Sequence, residues 1–218
     1  MLASALPTWG RAMIEAFSLR TTHLFQDALA SQARLRYRVF VQQSNLPHPY
    51  FADMEYDEFD TPAAVYLVWR DSDLVVRGLI RLLPTNRPYM LKSCWPYLVE
   101  TGSMPSDESV WEVTRVCVDK QLPGHIRSRI LPELLCGVSE FFEIYQIKAM
   151  VGVTRQHLVE YFIRAGIEWL GAEHPIEGQM ERAFYVPTRF IRPAYFCEKH
   201  RLPEPVLRLP EAEGRLAA

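Results

Sequence analysis

Three apolar segments set the fold class of this chain. Residues 64–69, 74–83 and 110–118 are apolar and rich in β-branched side chains, and the polar residues 70–73 form a turn between the first two. Residues 127–145 instead repeat apolar side chains at the period of an amphipathic helix. A chain that alternates strand and helix patterns in this way packs them against each other. The pattern therefore predicts an α/β fold.

Shorter patterns complete the order of elements. We predict a first strand at 13–19, a helix over 22–40, a long acidic loop over 45–61, a strand at 148–154, a helix over 157–164 that ends before Gly166, and a last strand at 181–186. This order predicts a single α/β domain in three layers over residues 1–218. We expect residues 1–11 to form a loose leader and residues 201–218 to form a peripheral tail.

Composition narrows the classes of function. The net charge is -2 with both signs interspersed, so we expect no nucleic-acid partner. No two of the four cysteines form a CxxC pair and none has a histidine at zinc-finger spacing, so we expect no metal site. The N-terminal residues lack the long apolar region typical of a secretory signal, and no apolar run approaches the ~20 residues of a membrane span. The expected location is therefore the cytoplasm, with no membrane span.

Charged residues inside strand-like segments give the strongest indication of function. Arg81 interrupts GLIRLLPT, and Glu112 and Arg115 interrupt VWEVTRVCV. In a regular pleated strand, residues three apart point to opposite faces, which would separate Glu112 from Arg115. A β-bulge would bring both side chains into one pocket, and bulges are common beside active sites.

Two further charged patches lie before these strands. Arg36 precedes Phe40 by four residues, and the acidic loop carries Glu55, Asp57 and Asp60. Taken alone, the loop is compatible with a solvated run of charges or with a calcium or magnesium loop, since spaced carboxylates bind hard cations. It lacks the glycine and the terminal glutamate spacing of an EF-hand.

Together these patches resemble a known family. The segments LRYRVFV, FADMEYDEFD, RLLPTNRPYMLKSCWPYL and VWEVTRVCV occur in the order found in the acyl-homoserine-lactone synthases of bacterial quorum sensing. The resemblance covers residues 35–118 and extends more loosely to about residue 171. It implies a GNAT-like acyltransferase fold, a three-layer arrangement of a twisted mixed sheet between helices. It also implies two substrates, S-adenosylmethionine and an acyl thioester on acyl carrier protein or coenzyme A, and no cofactor.

The resemblance also implies which residues form the site. The positions that match the family are Arg36, Phe40, Glu55, Asp57, Asp60, Arg81, Glu112 and Arg115. We expect catalytic roles for Glu112, Glu55 and Arg115 and substrate binding by the others. The protonated amine of S-adenosylmethionine needs a base, for which Glu112 and Glu55 are both candidates. We expect the three arginines to pair with Asp57, Asp60 and Glu55 and so to attach the loop to the sheet.

One position departs from the family pattern. Leu46 stands where the family has a tryptophan beside the S-adenosylmethionine site, and Tyr50 or Phe51 could supply an aromatic surface instead. For the acyl chain, Thr154 is the nearest match to a family position that contacts chains oxidised at the third carbon.

The thioester carrier is left open by the sequence. Residues 121–126 match in part the loop with which GNAT enzymes bind the pyrophosphate of coenzyme A, whereas Arg127, Arg129 and Lys148 could bind an acidic carrier protein. Three alternative functions remain at this stage: a coenzyme A-dependent N-acyltransferase for another amine, a methyltransferase, and a sensor without activity. A methyltransferase is disfavoured because no glycine-rich loop follows the first strand.

Overall fold

The computed structural model describes residues 14–44, 47–163, 165–202 and 205–209. Within these residues the strands are β1 (Ile14–Ser18), β2 (Tyr50–Phe51), β3 (Met54–Glu55), β4 (Val65–Arg70), β5 (Val76–Pro84), β6 (Val110–Val118), β7 (Ala149–Thr154), β8 (Glu168–Trp169), β9 (His174–Ile176), β10 (Gln179–Pro187) and β11 (Leu207–Arg208). The helices are α1 (Ala28–Arg36), α2 (Met90–Cys94), α3 (Gly124–Ile144), α4 (Gln156–Phe162) and α5 (Pro193–His200).

Most of the described strands join one mixed sheet. Its order is β11-β1-β4-β5-β6-β7-β10-β8, and β9 pairs with β10 as well. The pairs β11–β1 and β6–β7 are parallel, and the remaining pairs of this sheet are antiparallel. The parallel β6–β7 pair is joined by a crossover through α3, as parallel strands require.

Both faces of the sheet are covered, which gives three layers. On β4, Val65 and Leu67 point into the core beneath α3 and α5, whereas Tyr66 and Val68 point into the core beneath α1 and α2. This alternation follows from the two-residue period of a strand. The predicted three-layer α/β fold is confirmed.

Glycines allow the longest described helix to lie close to the sheet. A Cβ atom on Gly78 of β5 would lie 2.3 Å from Cγ2 of Ile130, and one on Gly137 of α3 would lie 3.0 Å from Cγ2 of Ile14. A larger residue at either position would push α3 away from the strands. No helix in the described ranges has both the length and the apolar character to cross a membrane.

The predicted helix over 22–40 is divided into three parts. Thr22–Phe25 forms a 3₁₀ turn, and Gln26 then has a positive φ of 51° that breaks the helical path before α1. After α1 the backbone widens into a π-helical segment, Tyr37–Gln43, which carries Phe40. Such segments are rare and occur often at functional sites.

The predicted acidic loop over 45–61 contains a small hairpin. β2 and β3 pair with each other through a two-residue turn at Ala52 and Asp53, whose φ values are 48° and 61°. Two consecutive positive φ values are typical of a type I′ turn, the two-residue turn that joins antiparallel strands. The hairpin brings Glu55 of β3 towards the main sheet.

The prediction of a peripheral tail over 201–218 is wrong for β11. This strand pairs in parallel with β1, and Val206 and Leu207 are buried. The carboxylate of Glu140 on α3 accepts hydrogen bonds from the backbone N–H groups of Val206 at 3.0 Å and Leu207 at 2.8 Å. These bonds satisfy backbone groups at the edge of the sheet. The predicted leader over 1–11 lies outside the described residues.

The contacts of Glu140 predict its contribution to stability. We expect Glu140→Ala to lower the free energy of unfolding by about 2–4 kcal/mol, because it leaves two buried N–H groups without an acceptor. Urea denaturation followed by circular dichroism measures this change. Glu143→Ala, at an exposed position of the same helix, is the control and should cost less than about 0.5 kcal/mol. Equal losses in both variants would argue against the attachment of β11 by Glu140.

Candidate active site

The site is organised by an irregularity in β6. Its pairing with β5 steps out of register between Leu79 and Arg81, where one residue of β5, Ile80, faces two of β6, Arg115 and Val116. The extra residue forms a β-bulge in which Arg115 has a positive φ of 50°. Arg115 and Glu112 consequently share one face of the sheet, and both contact Met90 of α2. The bulge expected from their spacing is confirmed.

Arg36, at the end of α1, contacts the acidic loop. Its Nη1 and Nη2 atoms donate to the two carboxylate oxygens of Asp60 at 2.8 and 3.0 Å, and its Nε donates to Glu55. Both Arg36 and Glu55 are fully buried. A two-fold contact of this kind fixes the carboxylate plane relative to the guanidinium plane.

Arg81, on β5, contacts the same loop from the sheet. It donates to both oxygens of Asp57 at 2.6 and 2.9 Å and to Asp60 at 2.8 Å. Its Nε donates to Thr114 on β6 at 3.1 Å, which fixes the guanidinium relative to the bulge.

Arg115 completes the cluster from the bulge. Its Nη2 lies 2.9 Å from Glu55 and 2.7 Å from Asp57. Its guanidinium also stacks over the ring of Phe40, 5.3 Å from the centroid. The predicted pairing of three arginines with three loop carboxylates is therefore present in the structure.

The arginine cluster is electrically balanced, with three positive and three negative side chains. Burial alone would raise the pKa of Asp57, but the hydrogen bonds from Arg81 and the charges of Arg81 and Arg115 outweigh it and lower that pKa. Asp60 also has a lowered pKa, because Arg36 and Arg81 overcome the effect of burial. Among the residues that the structure describes, no group of three or more acidic, His or Cys side chains could hold a metal ion.

Glu112 lies beside the arginine cluster in a different environment. Its two carboxylate oxygens accept hydrogen bonds from the backbone N–H groups of Met90 at 2.8 Å and Leu91 at 2.7 Å, at the start of α2. Burial raises the pKa of Glu112 to about 7, although these N–H groups and the nearby arginines act in the opposite direction. Glu112 is thus a fully buried carboxyl in the candidate site whose pKa lies near neutral pH.

The position of Glu112 in the sheet is also distinctive. The parallel pairing of β6 with β7 covers only three residue pairs and ends at Glu112 and Val151. Beyond this point β6 continues into the bulge, while β7 keeps its pairing with β10 as far as Thr154. Glu112 therefore lies at the fork where β6 and β7 separate. Backbone groups of β7 beyond the fork have no strand partner on the β6 side.

Two predictions concern residues that lie apart from the arginine cluster and Glu112, namely the acyl-chain contact and the aromatic replacement. Thr154, the expected acyl-chain contact, is half-buried at the end of β7, opposite Arg182, and makes no described contact with the cluster. Leu46 lies outside the described residues. Tyr50 and Phe51, the suggested aromatic replacements, are exposed on β2, and the ring of Tyr50 lies 4.9 Å from that of Tyr37.

Three residues of the site were missed in the sequence. The hydroxyl of Tyr66 donates to Asp60 at 2.7 Å, Thr114 contacts Arg81, and Met90 contacts the site through both its sulfur and its N–H group. Tyr66 pairs directly with Arg81 across β4 and β5, so the register of that hairpin could have identified it. The position of Met90 depends on the path of the chain between β5 and β6, and no local sequence pattern indicates that path.

The mixed sheet of this chain, with helices on both faces, has the fold of GNAT-like acyltransferases. An acyl-CoA N-acyltransferase from Pseudomonas aeruginosa, 14% identical, shares this fold with a TM-score of 0.50 over 72% of this chain and 89% of that one. The chain also matches the Autoinducer synthase family over residues 20–187. Because this match covers most of its length, the chain belongs to the autoinducer synthase family, as the resemblance of its motifs implied.

Individual relatives agree with this assignment. An acyl-homoserine-lactone synthase from Vibrio anguillarum is 29% identical over 176 residues, which are 76% of this chain and 91% of that protein. The solved structure of BjaI, a CoA-dependent acyl-homoserine lactone synthase with MTA, is 25% identical with a TM-score of 0.83. That similarity covers 94% of this chain and 97% of BjaI.

The raised pKa of Glu112 predicts a pH dependence of stability. An acid with a raised pKa binds its proton more tightly in the folded state, so its contribution to the free energy of unfolding falls as pH rises from about 4.5 to about 7. We expect Glu112→Gln to become more stable relative to the parent protein across this window, by up to about 3 kcal/mol. Urea denaturation of both proteins between pH 5 and about 8 measures the difference in their free energies of unfolding. The contributions of other titrating groups cancel in this difference. A difference that does not change with pH would contradict the raised pKa.

Proposed function

We propose that this protein is an acyl-homoserine-lactone synthase. It transfers an acyl group from a thioester to the amine of S-adenosylmethionine and then closes the lactone with release of methylthioadenosine. The observation that carries this proposal is Glu112, a buried carboxyl with a pKa near neutrality at the fork of β6 and β7. S-adenosylmethionine and acyl thioesters are made in the cytoplasm, where we propose that the protein acts.

The two candidate bases differ in how their oxygens are used. Those of Glu55 are bound by Arg36 and Arg115, so this carboxylate is committed to an ion-paired state. Those of Glu112 accept only two backbone N–H bonds. We therefore assign Glu112 as the base and Glu55 as the group that orients Arg115. Glu112 removes one proton from the amine, directly or through a water molecule.

Acyl transfer then takes place at the fork. The amine nitrogen attacks the thioester carbonyl, and backbone N–H groups of β7 beyond Val151 are suited to donate to the resulting oxyanion. Collapse of the tetrahedral intermediate breaks the C–S bond, and the leaving thiolate takes up the proton held by Glu112. The second proton of the amine nitrogen then passes to the regenerated Glu112 carboxylate and from there to water. The products of this step are the acylated S-adenosylmethionine and the free thiol of the carrier.

Lactone closure needs orientation more than acid–base chemistry. The carboxylate of the methionine part attacks its own γ-carbon, the C–S⁺ bond breaks, and methylthioadenosine leaves. Because the step is intramolecular, holding the substrate in a folded conformation supplies much of the acceleration. Phe40, stacked on Arg115, and the balanced cluster below it are rigid enough to provide such a surface.

For the acyl donor we propose coenzyme A rather than acyl carrier protein. Arg127 and Arg129 follow the C-terminal end of β6, whereas Lys148 precedes the N-terminal end of its parallel neighbour β7. These cations therefore lie at opposite ends of the sheet and do not form one docking patch. Arg127 also donates to the Lys120 carbonyl, and Arg129 pairs with Glu133. BjaI, with the same fold over nearly the whole chain, is CoA-dependent.

The acyl chain is expected to continue past the fork along β7. Thr154 remains a proposed contact for it, because this residue lies on the same strand beyond Val151 and is half-buried.

A product assay tests the function. The purified protein is incubated with S-adenosylmethionine and a panel of acyl thioesters, on coenzyme A and on acyl carrier protein, and the products are measured by mass spectrometry. We expect methylthioadenosine and an acyl-homoserine lactone in equal amounts, with faster turnover of the coenzyme A thioesters. Thioester cleavage without methylthioadenosine that depends on the addition of another amine would indicate an N-acyltransferase for that amine, and no turnover at all would exclude the enzyme. Faster turnover on carrier protein would overturn only the donor assignment.

A pair of substitutions tests the assignment of the base. We expect Glu112→Gln to lower kcat/KM by about 10²–10⁴-fold, because it removes the proton acceptor and keeps the shape. Glu55→Gln should act mainly through the KM for S-adenosylmethionine, since it weakens the contact with Arg115. Glu108→Gln, exposed just before β6, is the control and should leave both constants unchanged. The assignments are reversed if Glu55→Gln abolishes kcat while Glu112→Gln retains it.

A further inference from the structure

A contact outside the arginine cluster joins two distant parts of the chain. His48 lies after the π-helical segment that carries Phe40, and its Nε2 lies 3.4 Å from Oε1 of Glu177 in the β9–β10 turn. The ring of His48 also meets the ring of Phe40 edge to face, with centroids 6.1 Å apart. The imidazole thus contacts an aromatic residue of the site on one side and a carboxylate on the other.

Both ends of this contact are held by stiff backbone. His48 is flanked by Pro47 and Pro49, which fix their own φ angles, and Pro49 also restricts His48 to extended conformations. Glu177 and Gly178 form a two-residue hairpin turn with φ values of 50° and 79°. Neither side chain needs a large loss of backbone freedom to reach the other, so the contact is pre-organised.

The contact spans the fork of the sheet. β10 pairs with β7, the strand that separates from β6 at the fork, and Ile176 at the end of β9 is buried in the core on the site face. Phe40 lies on the other side, over Arg115 of the β6 bulge. His48 and Glu177 therefore join the segment on the β6 side of the site to the hairpin on the β7 side.

We propose that His48 and Glu177 form a latch that positions Phe40 against Arg115 and so shapes the pocket for S-adenosylmethionine. His48 is a positioning residue, because it acts through Phe40 and not on the reacting atoms. The proposal rests on the proposed function. With the latch broken, Phe40 gains freedom to leave Arg115, and the substrate must restore that arrangement when it binds. The loss should therefore be seen in binding and not in the chemical step.

The chain offers a matched control for this latch. His174 on β9 lies 3.4 Å from Glu100, and its ring meets the ring of Tyr97 edge to face at 5.3 Å. This second pair has the same chemistry and the same distance, but it makes no contact with Phe40 or with the arginine cluster. Any effect of removing a half-buried histidine and its contact with a glutamate should appear equally in both.

Steady-state kinetics and calorimetry of the full-length protein test the proposal. We expect His48→Ala and Glu177→Gln each to raise the KM and the Kd for S-adenosylmethionine by about 3- to 10-fold, with kcat and the KM for the thioester changed less than about 2-fold. The double variant should lose no more than either single variant, because the two residues act as one unit. His174→Ala should match the parent protein.

Three results would overturn the latch. They are an unchanged KM for S-adenosylmethionine in His48→Ala, an equal rise in His174→Ala, and losses that add fully in the double variant. Thermal unfolding of each variant separates a local effect from general destabilisation, which would lower the apparent kcat or raise both KM values together. If the parent protein is active and His48→Ala leaves its kinetics unchanged, the latch alone is wrong. If the parent protein makes no lactone, the proposed function is wrong as well.

Discussion

The buried contact between three arginines and three loop carboxylates is the interaction on which the site depends. Moving six charges out of water is costly, and the structure offsets that cost by giving the guanidinium groups of Arg36 and Arg81 paired hydrogen bonds to carboxylates and by leaving no net charge. Each arginine comes from a different element, namely α1, β5 and the β6 bulge, whereas all three carboxylates come from β3 and the loop after it. The acidic segment has little regular structure of its own, and these ion pairs, together with the buried ring of Phe59, hold it against the sheet. Loss of any one charge would leave an unpaired ion in the interior and affect the whole arrangement.

A single extra residue in β6 links this cluster to the chemistry. The bulge turns Arg115 towards Glu55 and Phe40, and the same strand carries Glu112 at the point where β7 separates. The carboxyls of the site therefore fall into two environments. Asp57 and Asp60 face arginines, which lower their pKa. The described hydrogen bonds to Glu112 come instead from backbone N–H groups, and burial raises its pKa to about 7. Carboxyls whose pKa values differ in this way are suited to different roles, some to hold a charge and one to move a proton.

Much of this arrangement was predictable from the sequence. The strand patterns gave β4, β5 and β6, and the spacing of Glu112 and Arg115 in a pleated strand required a bulge if both were to act together. The features that the sequence did not predict depend on contacts between distant segments. β11 is too short to have a period, and it is a strand only because β1 and Glu140 satisfy its backbone groups. The division of the first helix at Gln26 and the approach of Met90 to Glu112 depend on tertiary packing, which local patterns do not encode.

The position of the substrate amine is the most direct test of the central claim, that Glu112 takes its proton at the fork. A crystal structure with S-adenosylmethionine and a non-cleavable thioether analogue of the acyl-CoA gives this distance. We expect the amine nitrogen to lie about 2.6–3.2 Å from a carboxylate oxygen of Glu112, or to reach it through one water molecule, with the acyl carbonyl between β6 and β7. An amine that contacts Glu55 instead, or that lies outside the fork, would contradict the mechanism.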